Sequence, residues 1–213
     1  MAAVNSPREV QENFRVLVAV TGGSGAIYAQ RLVEELLSRV SRIYLVATPM
    51  GSKVADFELS ARGEGFSLRR ALAGKLSSEE KKIIRVFSNE DFFAPIASGS
   101  SAATHMVIVP SSMGTLARIS SGLSLNLIER SADVMLKQKN PLIICPRETP
   151  FNTIHLRNML QLAEMGVTIL PPVPGFYQKP RSIADIVNFV VGRILEVLRL
   201  EHSLYPAWNS RLS

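Results

Sequence analysis

A single cysteine, Cys145, in 213 residues leaves no partner for an internal disulfide, so a disulfide framework is excluded and a reducing, cytoplasmic setting is expected. It sits in "PLIICP" (141–146), which reads as a buried strand, where a thiol in apolar surroundings is inert rather than nucleophilic. No apolar run reaches the length of a membrane span. The opening "MAAVNSPREVQENFR" lacks the apolar core of a signal peptide. Histidines number three, and none of His105, His155 and His202 falls in a catalytic-looking motif; His155 reads as a helix-packing residue. The formal charge of +6 permits nucleic-acid binding, but the basic residues are scattered. The tight clusters are "SLRR" and "EEKKIIR", the second balanced by its own glutamates, and small phosphorylated ligands explain the excess equally well.

Two familiar phosphate loops are also missing. No Gly-Lys-Ser/Thr ending marks a P-loop. In "VAVTGGSGAIYAQRL" (18–32), Gly23 and Gly25 are followed by Tyr28 where the dinucleotide fingerprint needs glycine, and the second strand "RIYLVATPM" ends without the ribose-binding acid. What remains is a strand, a glycine-rich turn and a helix, a pattern whose unpaired amides suit an anion. A mononucleotide is therefore favoured over a dinucleotide; the bland alternative is a tight turn without a ligand.

Hydrophobic periodicity predicts strands at 14–21, 43–48, 83–87, 105–110, 141–146 and 167–170. Helices are predicted at 24–39, 50–59, 113–119, 124–138, 153–165 and 182–199. In the last helix Ile183, Ile186, Val187, Val190, Val191, Ile194, Leu195 and Leu198 form one stripe, with Ser182 and Asp185 as a capping start. Residues 60–82 read as an exposed connection. Regular alternation implies one doubly wound α/β domain, residues 14–199, with a mostly parallel sheet, a polar N-terminal tail (1–13) and a C-terminal tail (200–213). Ligands of such sheets bind beyond the carboxyl ends of the strands. The segments there are "TGGSGA", "NEDFFAPIASGSSAA", "SSMGTLARISSG", "RETPF" and "PVPGFYQKPRS". The first three are small and hydroxylated, which lets backbone amides approach a ligand.

The ordered set "PIASGSSA", "PSSMGTLARISSG", "NLIERSADVMLK", "PLIICPRETPFNTIHLRNML" and "PPVPGFYQKPRS" resembles the flavin prenyltransferase family of UbiX type. The likeness runs from about residue 15 to "PAWNS" (206–210). It implies a flavodoxin-like Rossmann fold that binds FMN and transfers a dimethylallyl group from dimethylallyl monophosphate to reduced FMN. Bonds to N5 and C6 add a fourth ring, and the product, prenylated FMN, serves UbiD-type decarboxylases, including the one in ubiquinone biosynthesis. It further implies a metal-independent homododecamer with active sites at subunit interfaces.

By the same resemblance, Gly22, Gly23 and Ser24 would form the first FMN turn and Ser112, Met113, Gly114 and Thr115 the second. Arg147 would contact the flavin, and Thr48 stands where relatives carry serine. Lys137, Glu148, Tyr177 and Arg193 would surround the donor phosphate, with Arg130 reaching in from a neighbouring subunit. Glu58 and Trp208 would line the site, so the catalytic set is Ser24, Glu58, Arg130, Lys137, Glu148 and Trp208. Chemistry fits these assignments. Phosphate is a poor leaving group and no aspartate-rich magnesium motif is present, so Lys137 and Arg193 would supply the charge and Tyr177 a hydrogen bond. Trp208 would shield an allylic cation. Glu148 would accept the ring proton, directly or through Ser24 or the released phosphate; a salt bridge to Arg147 or Arg130 is its structural alternative. Rival readings are a flavin-dependent decarboxylase of the related cysteine-decarboxylase flavoproteins, a direct aromatic-acid decarboxylase and an FMN-binding carrier. The last two have no use for a second phosphate site, and the first expects an asparagine that "PSSMGTLARISSG" lacks.

Overall fold

The computed structural model describes residues 11–59 and 65–206. Six strands, β1 (Gln11–Val20), β2 (Val40–Ala47), β3 (Ile84–Ser88), β4 (His105–Ser111), β5 (Leu142–Pro146) and β6 (Thr168–Ile169), form one sheet of order β3-β2-β1-β4-β5-β6. Every pairing is parallel, so the sheet is wholly rather than mostly parallel. A parallel sheet is covered on both faces, and its strands read as continuous apolar runs. Val16 through Val20 accordingly have no exposed surface.

The helices are α1 (Ala26–Leu36), α2 (Pro49–Glu58), α3 (Leu68–Leu72), α4 (Ser78–Ile83), α5 (Met113–Ser120), α6 (Leu127–Gln138), α7 (Thr153–Glu164) and α8 (Ile183–Val197). Two apolar cores divide them. On one face α1, α3 and α8 pack on Val16, Val18 and Val20 through Leu32, Leu68, Val190 and Ile194. On the other, α5, α6 and α7 pack on Leu17 and Ala19 through Leu116, Ile128 and Leu162. The chain therefore changes face between β1 and β4, where the crevice of such a sheet opens.

Some boundaries differ from the sequence reading. β1 begins at Gln11 because it pairs with Val40 of β2, so part of the expected polar tail is strand. The segment read as an exposed connection contains α3 and α4, since Leu68 and Ala71 are buried and Ser77 with Glu80 closes a capping box. Its basic cluster is spent on ion pairs, Arg69 with Asp56 and Arg70 with Glu80, each at 2.9 Å. Helix α6 starts at Leu127, where Asn126 accepts from the Glu129 amide. The stripe on α8 is buried from Val187 onward, leaving Ile183 exposed, and the Ser182–Asp185 capping box is present. Cys145 is buried in β5, and desolvation pushes its thiol far above the ordinary range.

Candidate active site

Two turns meet at the β1/β4 crevice, and one buried side chain ties them together. Thr21 Oγ1 donates to the Pro110 carbonyl at 3.0 Å and accepts from the Ser112 amide at 2.7 Å. Thr21 has no exposed surface, so these bonds form away from water and fix the spacing of the turns. The glycines between Thr21 and α1 are set by packing. A Cβ on Gly22 would lie 2.8 Å from Met50 Cγ, and one on Gly23 would lie 3.3 Å from the Ser111 carbonyl oxygen.

The positive end of α1 is occupied by the protein itself. The Gly25 and Ala26 amides donate to Glu58 Oε2 at 2.9 and 2.8 Å. Gly25 takes the left-handed conformation (φ 111°) that this turn requires. The sequence reading placed a ligand anion at this helix start; the Glu58 carboxylate takes those two amides instead, and among the described residues the amides of Gly22 to Ser24 donate to no other group. Glu58, expected to line the site, is thus the residue that closes its first turn. Thr48 lies beside them at the end of β2: its amide donates to the Val20 carbonyl at 2.9 Å, and its Oγ1 accepts from the Gly51 amide at 2.9 Å, capping α2.

The second turn opens α5. Ser112 Oγ accepts from the Thr115 amide at 3.3 Å and lies 3.1 Å from Thr115 Oγ1. Arg118 Nη2 donates to Thr115 Oγ1 at 3.3 Å, while its Nε donates to Glu129. The side chain of Glu129 is fully buried and also accepts from the Leu125 amide and Asn126 Nδ2, at 2.9 and 2.7 Å. Sequence reasoning missed Thr21, Arg118 and Glu129. Only the Asn126–Glu129 capping spacing carried a signal for any of them.

Arg147 and Glu148 follow β5 at the rim of the same crevice, placed by the Arg147 amide donating to the Ser111 carbonyl at 3.0 Å. Both are exposed. Glu148 accepts from the Thr149 amide at 3.0 Å and forms no ion pair among the described residues. Arg130, its other possible partner, donates instead to Asp133 at 2.8 Å and to the Ala97 carbonyl at 3.1 Å. The histidines have structural partners: His155 caps α7, His105 stacks on Phe14 and His202 faces Glu196.

The residues expected around the donor phosphate are not brought together within one chain. Lys137 lies near the end of α6, beside Asn140 whose Nδ2 donates to the Ala103 carbonyl just before β4. This is the pole of the sheet opposite the crevice. Arg193 lies on α8, across the sheet from α6. Tyr177 belongs with Arg193, since its ring meets the α8 residue Phe189 edge-on at 5.7 Å. Trp208 lies outside the described residues.

The family profile described as Flavoprotein matches residues 4–195. A flavin prenyltransferase UbiX from Halalkalibacterium halodurans is 47% identical over 192 residues, 90% of this chain and 92% of the relative. This chain belongs to the flavin prenyltransferase family of flavoproteins. A solved member, AnUbiX (PadA1) in complex with FMN and dimethylallyl pyrophosphate, is 36% identical with a TM-score of 0.81, covering 93% of this chain and 98% of its own. A dodecameric FMN-dependent Ubix-like decarboxylase from Escherichia coli O157:H7 is 34% identical with a TM-score of 0.80, covering 92% and 99%. In the prenyltransferase described here, no described helix is long and apolar enough to cross a membrane.

Proposed function

We propose that this protein transfers a dimethylallyl group from dimethylallyl monophosphate to N5 and C6 of reduced FMN, yielding prenylated FMN for a UbiD-type decarboxylase. The observation that carries the reading is the 36% identical AnUbiX complex, which holds FMN and a dimethylallyl pyrophosphate and matches 93% of this chain. The crevice here fits a mononucleotide. Its two turns are joined through Thr21 and closely packed at Gly22 and Gly23, and they carry the hydroxyl residues Ser24, Ser112 and Thr115.

Reduced FMN, when bound, supplies the two nucleophilic atoms. Gly22, Gly23, Ser24 and Thr48 would hold it on one side, Ser112 to Thr115 on the other, and Arg147 at the rim. Glu58, fastened to Gly25 and Ala26, keeps the first turn in shape. The donor's phosphate leaves against the charges of Lys137 and Arg193 and a hydrogen bond from Tyr177, interactions that strengthen as negative charge develops. Arg130 would contribute to the same charge, and Trp208 would keep water from the allylic cation. Glu148, exposed at the rim and bound to one backbone amide, accepts the proton lost as the second bond forms.

Lys137 and Arg193 lie on opposite faces of one sheet, so a site that uses both draws them from two copies of the chain. Arg130 and Lys137 are seven residues apart on one face of α6, so the copy that supplies one supplies the other. The protein is accordingly read as a homo-oligomer, in keeping with the dodecameric E. coli relative, and as cytoplasmic. The test is anaerobic incubation with reduced FMN and dimethylallyl phosphate, followed by mass spectrometry of the flavin. One added dimethylallyl unit establishes the transferase. Unmodified FMN with both the monophosphate and the diphosphate donor, on folded and flavin-loaded protein, would remove it in favour of a decarboxylase or carrier.

A further inference from the structure

Arg193 does not stand alone on α8. Its Nη1 donates to Glu196 Oε2, three residues further along the helix. An isolated pair of this kind on a surface contributes little and leaves both side chains free to move. Here the carboxylate is held from other sides. Tyr205 donates its hydroxyl to Glu196 Oε1 at 2.6 Å, and His202 Nε2 stands 3.4 Å from the same oxygen.

Tyr205 and His202 come from the segment after α8, which folds back along the helix. The fit is close: a Cβ on Gly192 would lie 2.3 Å from Tyr205 Cε1 and 2.8 Å from His202 Cε1, so both rings rest on the helix backbone. The Tyr205 ring then continues into an aromatic series, 5.2 Å from Phe189, which in turn meets Tyr177. Burial, and next the Glu196 carboxylate, raise the Tyr205 hydroxyl well above its ordinary range, with the neighbouring Arg193 opposing them. Both donor-phosphate residues of this face, Arg193 and Tyr177, are therefore braced by two residues that no role has yet been given.

We propose that Glu196 and Tyr205 are positioning residues for the prenyl donor: Glu196 orients the Arg193 guanidinium, and Tyr205 fixes Glu196 and, through Phe189, the Tyr177 ring. This rests on the assignment of Arg193 to the donor phosphate. A guanidinium presents its N–H groups in a rigid fork. With Nη1 fixed on Glu196, the other edge of the fork has one direction and can meet phosphate oxygens with less rotamer freedom left to lose. The opposite role, a carboxylate competing with the phosphate for Arg193, predicts tighter donor binding when the charge is removed.

The experiment is calorimetric titration of dimethylallyl phosphate into the FMN-loaded, full-length protein. Glu196→Gln weakens donor binding about tenfold, the loss expected for a charge-assisted hydrogen bond, and Tyr205→Phe about threefold, because Tyr205 acts on Arg193 only by holding Glu196, with FMN affinity unchanged. In an Arg193→Ala background, Glu196→Gln has no further effect, because it acts through the residue already removed. Unchanged or tighter donor binding in Glu196→Gln, while Arg193→Ala alone weakens it, would overturn the positioning role and spare the Arg193 assignment. An Arg193→Ala protein that binds the donor normally would overturn both. Loss of FMN affinity in Glu196→Gln would show general disruption and overturn the proposal as well.

Discussion

The flavin crevice and the donor-phosphate residues are built by different means. The crevice is made largely of backbone, within one chain, where strand ends, helix starts and one buried threonine fix every group. Of the residues proposed for the donor, Lys137 and Arg193 are long side chains on α6 and α8, helices that lie on opposite faces of the sheet. On the proposed assignments, the planar cofactor is held by the fold of one chain, whereas the phosphorylated donor is held by the assembly. Backbone groups cannot be lost by mutation, so the crevice fails through its ties. The donor site fails residue by residue.

The largest effect is expected at the rim, where the two regions share Glu148. Glu148→Gln keeps FMN affinity but slows formation of the cyclised product by about 10²-fold or more, the usual contribution of a positioned base, in single-turnover assays by mass spectrometry. Full activity in this variant would remove Glu148 from the proton path and leave the fold untouched.

Next is the tie between the turns. Thr21→Val leaves the Ser112 amide without its acceptor in the interior and is expected to cost about 1–3 kcal/mol, read as a lower melting temperature with weakened FMN affinity in a fluorescence titration. Normal FMN affinity in a destabilised protein would separate the tie from the cofactor site. The smallest effect concerns Thr48. Thr48→Ala removes the cap of α2 at an expected cost of about 1 kcal/mol. FMN affinity falling more than stability does would mean that the hydroxyl also serves the ligand.

The contrast also marks what could be read from sequence. All six strands and the major helices were legible because apolar runs and helical spacing are local signals, and the glycine turn was legible because it departs from both standard fingerprints. The occupant of the α1 start was not. Glu58 lies 33 residues from Gly25, and no local rule connects a carboxylate at the end of one helix to the amides opening another. Arg118 and Glu129 were hidden for a related reason: each looks like a surface residue of its own helix, and only packing shows that they meet over the second turn. The helical segments in 60–82 were missed because their buried residues, Leu68 and Ala71, are too few to set a period. Lys137, Tyr177 and Arg193 are grouped by resemblance alone, which assigns only Arg130 to a neighbouring chain and leaves Lys137 undivided from Arg193.

That division is open to a direct test by complementation. Lys137→Ala and Arg193→Ala chains, prepared separately, should each form almost no prenylated FMN. Refolded or co-expressed together at equal amounts, they should recover about a quarter of the wild-type rate, because random mixing gives that share of sites an intact Lys137 from one chain and an intact Arg193 from another. The readout is the mass of the flavin after anaerobic turnover with dimethylallyl phosphate. Recovery near that level is the result expected of a donor site shared between copies. No recovery, with mixed oligomers shown to have formed, would contradict it and return both residues to a single chain.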